Sequence, residues 1–307
     1  MSAVRLSQSR EIKHAFLLTG LGGLLFTLDL PLLRLSMADQ WTMVAARGFF
    51  LFLTISAVWA VARARGDRAP FIAGRAGLAV AALSTIGNMA YIGAVARTDA
   101  ANVVFIVALT PVIAAAFSRL ALGERVHHFT WAAAAMSFLG VAVIAAEGLE
   151  TGHVAGDALA LLSAFCSAAI FTIIRGTGRK VATSLALGSL SSAVLAFTVF
   201  GVSLPALAAP GAFAMPAWAW LALNGVVAIP LATMLLARGP RVLPSADVSM
   251  FFMLETVLTP VWIWFLFAEV PPHGVLLGGG LVVVTLLAHS WWRLARSMRG
   301  AALQPNG

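Results

Sequence analysis

Three charged side chains sit where charge is expensive. Asp29, Arg47 and Glu255 all fall inside long apolar runs of this 307-residue chain. A charge placed in hydrocarbon costs several kcal/mol and normally faces a cavity or a partner. Asp29 and Arg47 lie about six and seven residues from the same end of consecutive runs, so both sit roughly 10 Å deep at 1.5 Å per residue. That depth predicts an ion pair between adjacent helices. A second role is open to Arg47, whose planar fork could present donors to a substrate carboxylate. Glu255 lies roughly 13 Å from the opposite surface, near the middle of its run. It shares a helix face with Phe251 and Thr259, and no basic residue is expected at its depth. An unpaired carboxylate there could carry a proton, hold a substrate ammonium, or bond a neighbouring hydroxyl as the neutral acid.

Uncharged polar residues extend the pattern. Asn88, Tyr91, Asn102 and Asn224 fall in the outer halves of their runs. A membrane asparagine commonly just bridges two helices, but four at similar depth beside Asp29 and Arg47 suggest a polar vestibule opening outward. Thr110 and Thr259 join them as candidate cavity residues. Pro111 and Pro260 occupy matching deep positions, with Pro31 and Pro230 in other runs. Each proline removes a helix hydrogen bond and frees a carbonyl that a substrate or gate could use. Gly278, Gly279 and Gly280, like Gly20, Gly22 and Gly23, fit close helix packing. Without a flanking strand they make no phosphate cradle.

The elements that must position these residues are membrane spans. Hydrophobic residues make up 61% of the chain and charged ones 10%, with a mean hydropathy of +0.94. A soluble chain of this size is nearer a quarter charged, so lipid must be the solvent. The net charge of +8 is spread in short clusters between apolar runs, which excludes a nucleic-acid face. Cys166 is the single cysteine, so neither a disulfide nor a cysteine metal site is available. No metal and no cofactor is called for. A span needs roughly 20 apolar residues, and ten stretches qualify. They are Lys13–Leu35, Gln40–Ala62, Ile72–Val95, Asp99–Leu120, His127–Ala146, Gly156–Ile174, Ala182–Leu204, Ala217–Ala237, Ala246–Ala268 and Gly274–Leu294. The predicted class is an all-α polytopic membrane protein, since an open sheet would leave its edges unpaired in lipid. The first run is about span length with no small-residue cleavage site after it, and reads as retained.

Loop charge sets the expected orientation. Of the 20 basic residues, Arg34 and Arg97 fall on one side, Arg47 lies inside a span, and all the others fall on the opposite side. The poor side carries Asp39, Asp99, Glu147, Glu150, Asp157 and Glu269 instead. The rich side should be cytoplasmic, with both chain ends there.

The two halves echo each other. Leu109-Thr110-Pro111-Val112 in the fourth span recurs as Leu258-Thr259-Pro260-Val261 in the ninth, followed by Glu124 and Glu269 respectively. Five spans is an odd number, so the second copy must lie inverted, an arrangement found in transporters. At this level the sequence resembles the drug/metabolite transporter superfamily in its ten-helix form with two EamA-type repeats. The resemblance is carried by Ala46-Arg47-Gly48-Phe49, by Ala90-Tyr91-Ile92-Gly93-Ala94 with Thr98-Asp99-Ala100-Ala101, by Leu122-Gly123-Glu124-Arg125, and by Gly156-Asp157-Ala158-Leu159-Ala160. It implies one repeat over 1–150 and a second over 151–307. It also implies a secondary transporter of small metabolites in the inner membrane. Layout is most similar to the YddG-type amino-acid exporters, although Tyr91 is the only tyrosine, fewer than aromatic specificity would suggest.

The expected function is therefore alternating-access movement of a small polar metabolite, an amino acid first, with proton coupling open and drug or other metabolite transport as the alternative. A membrane-embedded lipid-modifying enzyme would want two deep acids in one span, or a nucleophile beside a base, and no run offers either. The partners implied are the substrate and the bilayer. Topology is checked by single-cysteine labelling in a Cys166→Ala background. Cysteines at Arg65 and Gly178 should be unreactive to an impermeant reagent outside intact cells, and labelling of either overturns the orientation.

Overall fold

In lipid no water is available for backbone groups, so each apolar run closes its hydrogen bonds within itself as a helix. The computed structural model describes residues 17–18, 20–67, 70–72, 74–123, 128–151, 153–177, 182–202, 204–236 and 245–302. Among these residues no sheet occurs, and helical stretches coincide with all ten expected spans. The first comprises a helical segment over 20–26 and a helix Asp29–Leu35; the second is Gln40–Ala64 and the third Gly74–Val95. The fourth is two helices, Ala100–Val107 and Thr110–Leu122, and the fifth is His128–Thr151. The sixth is Val154–Thr177, the seventh Ala182–Val199, and the ninth and tenth Ser245–Phe267 and His273–Ala302. The eighth runs Ala217–Ala222, then a π-helical stretch Leu223–Ala228, then Ile229–Leu236. Among the described residues, six of the helical units are long and apolar enough to cross a membrane by length and composition. Bulky apolar side chains such as Phe265, Leu277 and Val284 point outward and exposed, as they should where lipid is the solvent. The protein is a multi-pass membrane protein.

The local sequence explains the starts and breaks. Asp39 caps the second span, its carboxylate accepting from the Trp41 and Thr42 amides at 2.9 and 3.1 Å. Partial burial works to raise its pKa, but these bonds and the Thr42 hydroxyl outweigh it and hold the carboxyl below the usual carboxylate range. Spans expected as continuous are interrupted ahead of proline. The first breaks at Thr27–Leu28, four and three residues before Pro31, and the fourth at Ala108–Leu109, just before Pro111. Pro260 behaves differently and lies inside an unbroken helix.

Packing joins three pairs of helices five places apart in the chain, and the third span lies along the sixth. The second span lies along the seventh, the fifth along the tenth, and the fourth against the ninth. The seventh also packs on the third, and the second on the eighth. The interior centres on Ala100–Val107, whose residues are all buried or nearly so, with Leu30, Ile144, Ile263, Val275 and Val282 around it. Ala160, Ala164 and Ala168 form a one-face stripe at four-residue spacing that lets the sixth span approach closely.

The fifth and tenth spans meet glycine to glycine. A Cβ on Gly140 would lie 2.6 Å from the Gly278 carbonyl oxygen, and one on Gly278 would strike the Gly140 carbonyl and lie 2.8 Å from Ile144 Cγ1. Gly279 faces the Phe105 ring, whereas Gly280 has open space. Gly278→Val should therefore lower stability by about 1–3 kcal/mol through overpacking, with Gly280→Ala near neutral. Thermal unfolding of the purified variants checks this, and equal Tm values would overturn the packing assignment.

Candidate functional site

Asp29 opens the short second helix of the first span. The break at Thr27–Leu28 places Asp29 in that helix's first turn, where negative charge is favoured. Asp29 is 3% exposed and Arg47 is 9% exposed. Arg47 Nη2 donates to Asp29 Oδ2 at 2.9 Å, and Nη1 donates to Asn88 Oδ1 at 3.2 Å. Asn224 Nδ2 donates to Asp29 Oδ1 at 2.7 Å and to the Asp29 carbonyl at 3.1 Å. Asn88 Nδ2 continues to Ser192 Oγ at 2.8 Å, and Ser192 donates onward to the Ser189 carbonyl. The Arg47 guanidinium lies over the Tyr91 ring, 5.4 Å from its centroid, within cation–π range. One network thus ties the first, second, third, seventh and eighth spans together. Asn224 is aimed from the π-helical stretch, a local irregularity that recurs at functional sites. Among the described residues, Arg47 Nε, Tyr91 Oη and Asn224 Oδ1 are buried without a hydrogen-bond partner.

Both terminal nitrogens of Arg47 are occupied, so its fork is not on offer to a substrate carboxylate in this conformation. The outward-opening vestibule is also corrected. Asn88, Tyr91 and Asn224 do surround the charge pair, but the group is enclosed between helices.

Asn102 belongs elsewhere. Its amide donates to Asp157 Oδ1 and Oδ2 at 3.1 and 3.4 Å and to Thr98 Oγ1 at 3.2 Å, and Thr98 Oγ1 donates to Asp157 Oδ1 at 2.7 Å. Asp157, expected as a loop charge, is 6% exposed in the first turn of the sixth span. The fit of Gly156 against Thr98 draws it in, because a Cβ there would lie 2.6 Å from the Thr98 Cβ. Its position at a helix N-terminus was a signal for this burial.

The two Leu-Thr-Pro motifs are used differently. Pro111 cannot donate to the Val107 carbonyl, and Thr110 Oγ1 fills that place at 2.6 Å within its own span. Thr259 instead reaches across to the Thr27 carbonyl at 3.1 Å, the acceptor that Pro31 leaves unanswered. Trp262 Nε1 adds a bond to Thr27 Oγ1 at 3.0 Å, a partner nothing in the spacing announced. Both threonines are buried. Glu255, one turn before Thr259, is half-buried and feels the charges of Asp29 and Arg47. No hydrogen bond or ion pair engages it among the described residues. Glu124 lies outside the described residues, and Glu269 faces Arg34 at 3.5 Å.

Breaking a buried ion pair from one side strands the other charge. Asp29→Asn and Arg47→Gln should each destabilise by about 3–5 kcal/mol, while the double variant loses clearly less than the sum. Unfolding of purified protein in a double-mutant cycle checks this, and strictly additive losses would remove the direct pair.

The comparisons agree with this architecture. The model of the EamA-like transporter family matches residues 15–146, the part that contains Asp29, Arg47, Asn88, Tyr91, Asn102 and Thr110. A protein of known crystal structure is similar in fold at a TM-score of 0.58 and 16% identity, covering 89% of this chain and 96% of that one. No curated protein sequence matches the chain. Residues 15–146, the stretch that carries both the charge pair and the first Leu-Thr-Pro motif, are thus similar to the EamA-like transporter family.

Proposed function

We propose that this transporter exports amino acids or closely similar amines across the inner membrane by alternating access. The repeats would be residues 1–150 and 151–307, inverted relative to each other, with both termini cytoplasmic. Packing supports the two-fold reading. The second–seventh, fourth–ninth and fifth–tenth contacts each pair a span with its repeat mate, and the third–seventh contact has its counterpart in eighth–second. A two-fold axis in the membrane plane produces this pattern.

One observation carries the substrate assignment, and it is the state of Glu255. Asp29 and Arg47 neutralise each other at 2.9 Å, which leaves Glu255 as the uncompensated acid of the group. Electroneutrality in a low-dielectric interior calls for one positive charge beside it. A substrate ammonium or a coupling proton supplies that charge, and the two can compete for the same carboxylate. The substrate-facing group would then comprise Glu255, Thr259, Tyr91 and the unpaired Arg47 Nε, with Thr110, Asn88 and the kinks at Pro111 and Pro260 shaping the wall.

Flux of labelled amino acids and amines in proteoliposomes, with and without a pH gradient, tests the assignment. Glu255→Gln should keep folded yield and lower flux about tenfold to a hundredfold, the loss of one charged hydrogen bond worth about 1.5–3 kcal/mol. Parental flux and pH profile in Glu255→Gln would make the residue structural.

A further inference from the structure

Arg34 is one of two arginines on the acidic side of the chain, and it holds three elements together. It ends the first span. Its Nη2 donates to the Thr98 carbonyl at 2.9 Å, just ahead of the fourth span, and its Nη1 meets Glu269 Oε1 at 3.5 Å, just after the ninth. The first and fourth spans belong to one repeat and the ninth to the other, so the clasp crosses the division between them. Beside its Glu269 end lies a crevice of about 20 Å³ lined by Asp99, Ala100, Ala101, Pro260, Ile263 and Glu269. That volume admits a water and no metabolite. Pro260 adjoins Thr259, whose hydroxyl is bonded to Thr27 beside the charge pair. The crevice therefore lies between the Glu269 end of the clasp and the Thr259 side of the deep polar group.

The two posts of the clasp differ in firmness. Thr98 is fixed: its hydroxyl is on Asp157, its amide on the Ala94 carbonyl at 3.0 Å, and Gly156 packs against it. Neighbouring Arg97 bonds Gln40 and the Gly93 carbonyl, and Asp99 lies 3.4 Å from His153. Glu269 stands on a non-helical stretch that begins at Ala268, whose φ of 54° ends the ninth helix in the left-handed region. Its side chain is 41% exposed and that of Arg34 is 26% exposed. An ion pair this open to solvent is weak and screened by salt, a property that suits a contact made and broken in each cycle.

We propose that Arg34 is the latch of an outer gate, closing the path between the repeats by holding Glu269 to the Thr98 corner. The proposal rests on the two-repeat reading above. Opening requires the Arg34–Glu269 contact to part, which widens the crevice and exposes Ala101 and Ile263, now 4% and 3% exposed.

The test is cysteine accessibility in nanodiscs, in a Cys166→Ala background, with a polar maleimide. Adding Arg34→Gln to Ile263→Cys should raise the labelling rate roughly fivefold, the effect of losing a contact worth about 1 kcal/mol. Glu269→Gln should do the same, with Ala101→Cys as the second reporter. The swap Arg34→Glu with Glu269→Arg should return labelling toward the parental rate. Ala164→Cys, buried between the fourth and sixth spans, should stay unreactive throughout. Unchanged labelling at both reporters, or an equal rise at Ala164→Cys, would overturn the gate. No substrate is needed, so a failed amino-acid flux assay leaves this result standing, and a failed gate leaves the substrate assignment standing.

Discussion

In hydrocarbon every polar group must find its partner inside the protein, and this constraint organises the molecule. Regular helices meet it for the backbone, except where proline removes a donor. Pro31 leaves the Thr27 carbonyl unanswered, and the chain answers it from the ninth span with Thr259. Pro111 leaves the Val107 carbonyl, and Thr110 answers it locally. The same three residues, Leu-Thr-Pro, thus make a self-contained kink in one half and a bond between halves in the other. The second arrangement fastens the ninth span, and Glu255 with it, beside the charge pair.

The charge pair meets the same constraint at higher stakes. A buried ion pair recovers its desolvation only with good geometry and extra hydrogen bonds. Asp29 obtains them from Arg47 and Asn224, and Arg47 from Asp29 and Asn88. Five spans are tied together as a result, through side chains contributed by each. Around this anchored group the remaining contacts are close packing of small residues, such as Gly140 on Gly278. In a bilayer, apolar side chains gain little by leaving lipid for protein, so fit and polar bonds decide which helices touch. The Arg34–Glu269 pair is the contrasting case, exposed where the deep pair is buried.

The sequence alone determined the apolar surroundings, the helical class, the approximate places of the spans, and the matched levels of Asp29 and Arg47 on neighbouring helices. These follow from composition and from the fixed rise of a helix, which are properties of one stretch of chain at a time. It also carries Leu-Thr-Pro-Val twice. Only the tertiary structure decided that Asp157 is buried under Thr98 and Asn102, that Asn102 is thereby removed from the Asp29 group, and that Asn224 from a π-helical stretch completes it. Only the tertiary structure chose different partners for Thr110 and Thr259, and set Arg34 between Thr98 and Glu269. Depth along a helix is written in residue count, but rotation about its axis and the identity of its neighbour depend on how ten helices pack at once, and no single span carries that information.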